Sequence, residues 1–324
     1  MLLNIQHETK LTYSEPVAET VFEVRMAPPS DEDQTNLGYR LRITPTPPVT
    51  AYRDGFGNRV DMFNVLTPYR ELVVRATSIV RTHRRPGEDR LASTAWRHDE
   101  PIPVTVLDFL QPSKLANRCP KLDAFVASLP TFEGSLLEGV ATIMDAIPKA
   151  LKYEKKVTSA YTPLSEALDL GRGVCQDFAH LFLGTARALG LPARYVSGYV
   201  EGPGELATHA WCQVWAGRNG WVDIDPTRAT IVTDHHVVTA LGRDYADVPP
   251  NRGVWRGRAD ETIAVTVKVE PLERMPAEWS DWGMHSPWLG AGWTQSQSQR
   301  NGRPMNIHPR VGYRQQQSQQ QQQG

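Results

Sequence analysis

Residues 171–200 read GRGVCQDFAHLFLGTARALGLPARYVSGYV, and the rest of the chain is read outward from this stretch. Gly171 and Gly173 permit a tight turn. A helix follows, because Phe178, Phe182, Thr185 and Leu189 recur at helical spacing. Gly190 and Pro192 then end it. Cys175 therefore opens a mostly buried helix. The partial positive charge of a helix N-terminus stabilises a thiolate, and its free N–H groups can receive a developing oxyanion. Position alone does not make a nucleophile, since a free cysteine is also ordinary core material.

Downstream, residues 208–227 read THAWCQVWAGRNGWVDIDPT. The pattern is a strand, a turn within Ala216 to Gly220, a second strand and a stop at Pro226. Two registers compete. A two-residue Asn219-Gly220 turn leaves Asp225 on the other face from His209. A loop centred on Gly217 sets Asp225 directly opposite His209. In the second register a carboxylate meets an imidazole on the neighbouring strand, as a base needs in order to fix its tautomer and stabilise its cation. Asp223 shares that strand face and is the rival. Cys212 is an odd step from His209 and points to the opposite face. His180 is rotated away from Cys175 around the helix. A zinc set of Cys175, His180, His209 and Cys212 is therefore disfavoured. His235-His236 reads as a solvated loop pair.

Upstream, the first 80 residues carry the period of two of half-buried strands. Phe22, Val24 and Met26 alternate with polar neighbours, as do Leu37, Tyr39, Leu41 and Ile43. Turn sequences such as Asp54-Gly55-Phe56-Gly57-Asn58 separate the runs, which predicts a β-sandwich. The basic stretch Arg81, His83, Arg84, Arg85 and Arg90 reads as a solvated linker, with an anion grip as the sharper alternative. Leu136, Val140, Ile143, Met144 and Ile147 form one helical stripe. Thr162-Pro163 reads as a helix start, with Thr162 as the cap.

A nucleophile at a helix start, a histidine and a carboxylate are the parts of a thiol enzyme. Three blocks, GRGVCQDFAH, THAWCQVW and GWVDIDPT, occur in that order and resemble the transglutaminase-like superfamily of papain-like thiol enzymes. YRDGFGNRV and GRDYADVPPNRGVWRG resemble the bacterial members, and the resemblance covers roughly residues 5–272. It implies an α+β fold, an N-terminal β-sandwich followed by a papain-like core. It implies Cys175 as nucleophile, His209 as base and acid, and Asp225, at the Asp-Pro-Thr position, as the orienting carboxylate. Gln176 and Asp177 belong to the cysteine block and read as supporting or capping groups. The expected division is 1–80 for the sandwich, 81–103 for a linker and 104–272 for the core. A Trp-rich segment and a disordered Gln-rich tail occupy 273–324.

Composition bounds the function. Lys plus Arg is 35 and Asp plus Glu is 36, a formal net charge of −1. That excludes a bulk basic surface, so neither nucleic acid nor an anionic membrane is an expected partner. Three cysteines argue against a disulfide framework, and no apolar run reaches the length of a membrane span. The N-terminus shows no signal-peptide pattern, and a cytoplasmic location is expected. The resulting expectation is acyl transfer or amide hydrolysis on a peptide or protein amide, through a thioester and without a metal or organic cofactor. The alternative is an interaction scaffold whose core is catalytically idle.

Overall fold

The computed structural model describes residues 1–96, 101–202, 208–280 and 314–317. The chain begins with five strands: β1 (Leu2–Val24), β2 (Gln34–Thr44), β3 (Val49–Arg53), β4 (Arg59–Val65) and β5 (Tyr69–Thr82). Short helices follow, α1 (Gly87–Ala92), α2 (Val104–Leu107) and α3 (Pro120–Ala127). Helix α4 (Leu136–Ala150) buries the whole predicted stripe from Leu136 to Ile147. Ser135 caps it, accepting from the Glu138 N–H while Glu138 reaches back to the Ser135 N–H. Strand β6 (Lys152–Tyr153), helix α5 (Leu164–Leu170), strand β7 (Arg172–Gly173) and helix α6 (Cys175–Ala188) lead into the core sheet. That sheet comprises β8 (Ala193–Val200), β9 (Thr208–Trp215), β10 (Trp221–Asp225), β11 (Thr230–Ile231) and β12 (His236–Gly242). The chain continues through β13 (Asn251–Arg256), β14 (Glu261–Pro271), α7 (Ala277–Ser280) and β15 (Arg314–Gln317).

The N-terminal strands form one curled half-barrel rather than the predicted sandwich. The reason lies in β1. Its first half pairs with β5 and β14, and its second half with β4 and β13. The register shifts between Thr12 and Val17 and again between Ala18 and Val21, and Glu19 takes a left-handed φ of 50°. A continuous strand therefore runs through the bend and belongs to both halves, where a sandwich has two separate sheets. Strands β13 and β14 return from the core to this first sheet, before the expected core boundary at 272. Residues 314–317 of the expected disordered tail pair with β13. The remaining tail, with Trp282, Trp288 and Trp293, lies outside the described residues. Trp279 is buried, with the Arg40 guanidinium 4.8 Å over its ring.

Core-sheet order is β11-β10-β9-β8-β12, all antiparallel. Helix α6 packs its Phe178, Leu181 and Phe182 against Ala210, Cys212 and Val214 of β9 within one cluster. Strand β12 is the edge of this sheet, and the half-barrel covers it. Gln34 accepts from the Val238 N–H (2.9 Å) and donates to the Val238 carbonyl (3.0 Å). Asn58 does the same at Leu241, at 2.8 and 2.7 Å. Two side-chain amides thus replace a missing neighbour strand and satisfy edge groups that burial would otherwise leave unpaired. Leu3, Ile5, Val80, Tyr199 and Val237 fill the contact between the two units, where His7 Nδ1 lies 2.8 Å from the Tyr199 hydroxyl.

Candidate active site

Cys175 is the first residue of α6, as its place in the sequence predicts. Strand β7 delivers it there, pairing in parallel with β6 so that Tyr153 lies opposite Gly173. A Cβ on Gly173 would stand 2.7 Å from Asp177 Cγ, so only glycine allows this approach. Asp177 turns back from the first helical turn and accepts from the Val174 N–H (2.8 Å) and the Thr158 hydroxyl (2.7 Å). Burial pushes its carboxyl up to about 6, against those two bonds. Helix α5 begins at Leu164 with Pro163 before it; Thr162 does not cap it, its hydroxyl accepting instead from the Ser159 N–H.

His209, near the start of β9, is buried, and its Nε2 lies 2.8 Å from Asp225 Oδ2. The other Asp225 oxygen accepts the backbone N–H groups of Thr227 (3.0 Å) and Arg228 (3.2 Å), so the carboxylate is fixed from both sides. Burial alone lowers the His209 pKa. Its hydrogen bonds to Asp225 and to the Cys175 thiol outweigh that and raise it to about 9. Burial pulls Asp225 upward, yet the hydrogen bond from His209 and the nearby His236 hold it well below the usual carboxylate range. Cys175 and Asp225 are thereby the two side chains that raise the His209 imidazole against its burial.

The hairpin that achieves this takes neither predicted register. Trp221 pairs with Trp215, Val222 with Val214, Asp223 with Gln213 and Ile224 with Cys212. Continued by one residue, that places Asp225 across from Trp211, with His209 on the diagonal. A tight turn at Gly217–Asn219 sets the shift, and the Ala216 N–H closes it on the Gly220 carbonyl at 2.8 Å. An offset of two residues keeps the side chains on one face, so the imidazole still reaches its carboxylate. Asp223 is occupied elsewhere. It accepts the Trp211 indole N–H (2.6 Å) and the Gln213 amide (3.0 Å). The Trp211 ring in turn stacks beside His209, with centroids 6.1 Å apart.

The disfavoured zinc set is dispersed. His180 Nε2 accepts the Tyr245 N–H at 3.3 Å, and the Cys212 thiol donates to the Ala179 carbonyl at 3.4 Å. A different trio, His209, Asp225 and His236, brings ligand atoms within 4.8 Å of one another. Arg228 stands beside this trio, with its Nη1 3.3 Å from His236 Nε2 and 3.7 Å from Asp225 Oδ2.

Several residues of the site were misread or unread in the sequence. His235 is exposed as expected, but His236 is buried, with Nε2 3.6 Å from Asp225 Oδ2. The signal was the run HVVTAL, a strand that begins at the second histidine. The basic stretch is not a solvated linker throughout. The Arg84 side chain is buried, and its Nη1 donates to the His236 carbonyl at 2.7 Å. Arg90 binds the carbonyls of Asn219 and Trp221 and holds the hairpin from below. Tyr153 sets its ring 6.1 Å from Phe178. Burial and the neighbouring Cys175 push its hydroxyl up to about 12, with Arg228 opposing, so it stays a proton donor at neutral pH.

A helix opened by a cysteine, packed on a sheet that carries a His-Asp pair, is the arrangement of thiol-enzyme-like folds. The chain belongs to the transglutaminase-like superfamily, whose core matches residues 123–226. Residues 3–81 match the bacterial transglutaminase-like N-terminal region. An uncharacterized protein of Mycobacterium leprae is 31% identical over 283 residues, covering 83% of this chain and 99% of the relative. A crystal structure of a "putative cysteine protease" from Cytophaga hutchinsonii is similar with a TM-score of 0.69 at 23% identity, covering 85% of this chain and 93% of that one. A protein-glutamine gamma-glutamyltransferase of Pseudomonas aeruginosa is 33% identical over 69 residues, covering 18% of this chain and 10% of the relative. Among the described residues, no helix is long and apolar enough to cross a membrane.

Proposed function

We propose that this protein is a thiol-dependent acyltransferase or amidase acting on peptide or protein amides through Cys175, His209 and Asp225. The observation that carries the reading is the 2.8 Å contact of His209 Nε2 with Asp225 Oδ2, with Cys175 opening α6 and helping to hold His209 at about 9. At neutral pH such an imidazole is protonated, and the imidazolium favours a thiolate beside it. The thiolate attacks the amide carbonyl. The Cys175 N–H at the helix start and the Tyr153 hydroxyl are the candidate donors to the oxyanion. The carbonyl re-forms as the C–N bond breaks, and His209 gives its proton to the departing amine. The thioester is then resolved by water, with His209 as base, or by a second amine. The partial match to a relative named for protein-glutamine transfer is in keeping with resolution by an amine.

The test is acylation by an activated ester such as p-nitrophenyl acetate. The expected result is a burst of nitrophenol and an acetyl group on Cys175 that hydroxylamine removes. Adding a primary amine then shows whether amine or water resolves the thioester. Absence of any acyl group on Cys175 in a folded protein overturns the reading.

A further inference from the structure

Three charged or titratable groups converge on one carboxylate oxygen behind the proposed nucleophile, which is more than a triad needs. Asp225 Oδ2 has His209 Nε2 at 2.8 Å, His236 Nε2 at 3.6 Å and Arg228 Nη1 at 3.7 Å. The guanidinium is the closest full cation besides His209, yet it stands just beyond hydrogen-bonding distance. What it does reach is His236 Nε2, at 3.3 Å. A guanidinium can only donate, so the His236 nitrogen facing it carries the lone pair. The ring proton is then on Nδ1, which is buried with no partner among the described residues. The His236 ring has little freedom to turn. It packs edge-on against Trp211, with centroids 5.3 Å apart, and Arg84 clasps its carbonyl.

We infer that His236 is a positioning residue that holds Arg228 off Asp225 and so reserves the carboxylate charge for His209. The inference rests on the proposed thiol chemistry. If Arg228 closed onto Oδ2, it would form a charge-assisted bond to the oxygen that now serves His209. The imidazolium would lose part of its counter-charge, and the thiolate beside it would form only at higher pH. The Arg228 side chain is 39% exposed, so it has room to make that move. His236 suits the task because it is neutral at neutral pH. Burial lowers its pKa, Asp225 opposes this, and the cationic His209 and Arg84 lower it further. These groups, with Arg228, are the charged neighbours that the ring faces. Gln34 and Arg84 fix β12 and the His236 backbone, so the N-terminal half-barrel and its connecting segment help to set this arrangement.

The experiment follows the rate of Cys175 alkylation by iodoacetamide from pH 4 to 9 in the full-length protein. His236→Phe keeps a ring against Trp211 but offers Arg228 no acceptor. It should move the acid-side midpoint up by about one unit, roughly a tenfold slower reaction at pH 5–6. His236→Gln keeps an acceptor and should stay within about twofold of the wild type. Adding Arg228→Met to His236→Phe removes the displaced cation and should restore the midpoint, which a packing role for His236 would not do. An unchanged midpoint in His236→Phe overturns the inference, as does a shift that Arg228→Met fails to reverse. A wild-type rate no faster than that of a free thiol, and indifferent to His209→Ala, overturns the thiol chemistry itself and this inference with it.

Discussion

His209 Nε2 lies 2.8 Å from Asp225 Oδ2 although the two residues are diagonal across the β9–β10 ladder and not paired in it. The carboxylate can lean along the strand because the turn that begins at Pro226 supplies two N–H groups to its other oxygen. Its direction is therefore set by backbone, and its charge is what the imidazole uses.

Asp225→Asn tests that division. The amide oxygen can still face His209, but the charge that favours imidazolium is gone. The His209 pKa should fall from about 9, and acyl transfer at pH 7 should drop by roughly a hundredfold or more. Titration of the ring by NMR, read beside the acylation rate, checks both statements. A rate within twofold of the wild type would mean that the carboxylate only shapes the site.

Cys175→Ser should abolish acyl transfer. A hydroxyl at this helix start keeps its proton, and the histidine is not a strong enough base to activate it. His209→Ala should be less complete, and Asp225→Asn less again, because a thiolate can exist before substrate arrives. Burst kinetics on the three variants, with circular dichroism as the folding control, gives the order. Full activity in Cys175→Ser would remove the thiol from the mechanism.

Asp177 makes a prediction about stability and pH. Its carboxyl titrates near 3.8 when free and about 6 when folded. Between those values the folded state holds more protons than the unfolded state, so this group's contribution falls as pH rises. Asp177→Asn removes that slope while an amide oxygen can still accept from Val174 or Thr158. Relative to the wild type, the variant should gain stability between pH 4 and 7, by about 3 kcal/mol at most. Urea unfolding at pH 4 and pH 7 measures the difference. A gap independent of pH would show that the buried carboxyl does not carry the cost.

Gln34→Leu should loosen the clamp on β12. The Val238 N–H and carbonyl would lose their partners, and each buried unsatisfied group costs roughly 1–3 kcal/mol. A fall in thermal midpoint is expected, together with faster amide exchange at Val238. Exchange there that matches the wild type would mean that another group takes over the edge.

Much of this molecule is legible in the residues themselves. The stripe from Leu136 to Ile147, the start of α6 at Cys175 and the opposite facing of Cys212 and His209 follow from periods of 3.6 and 2, which are local properties of the backbone. The three blocks around Cys175, His209 and Asp225 carry the resemblance to the superfamily, whose core model matches residues 123–226.

Other features depended on contacts between distant parts of the chain. The bend in β1 makes a half-barrel of strands whose alternation suits a sandwich equally, since alternation reports a buried face and not what lies against it. The diagonal register of the hairpin was set by a turn that Arg90 braces from outside. Arg84 and His236 read as solvent-facing because a charge or an imidazole has no periodic signature. Their side chains are buried because β12 is an edge strand, and an edge must be covered by whatever the rest of the chain brings to it. Local pattern determines which residues can face a site. Which of them meet there is decided by packing between segments far apart in sequence, where the need to pair every buried polar group selects the arrangement.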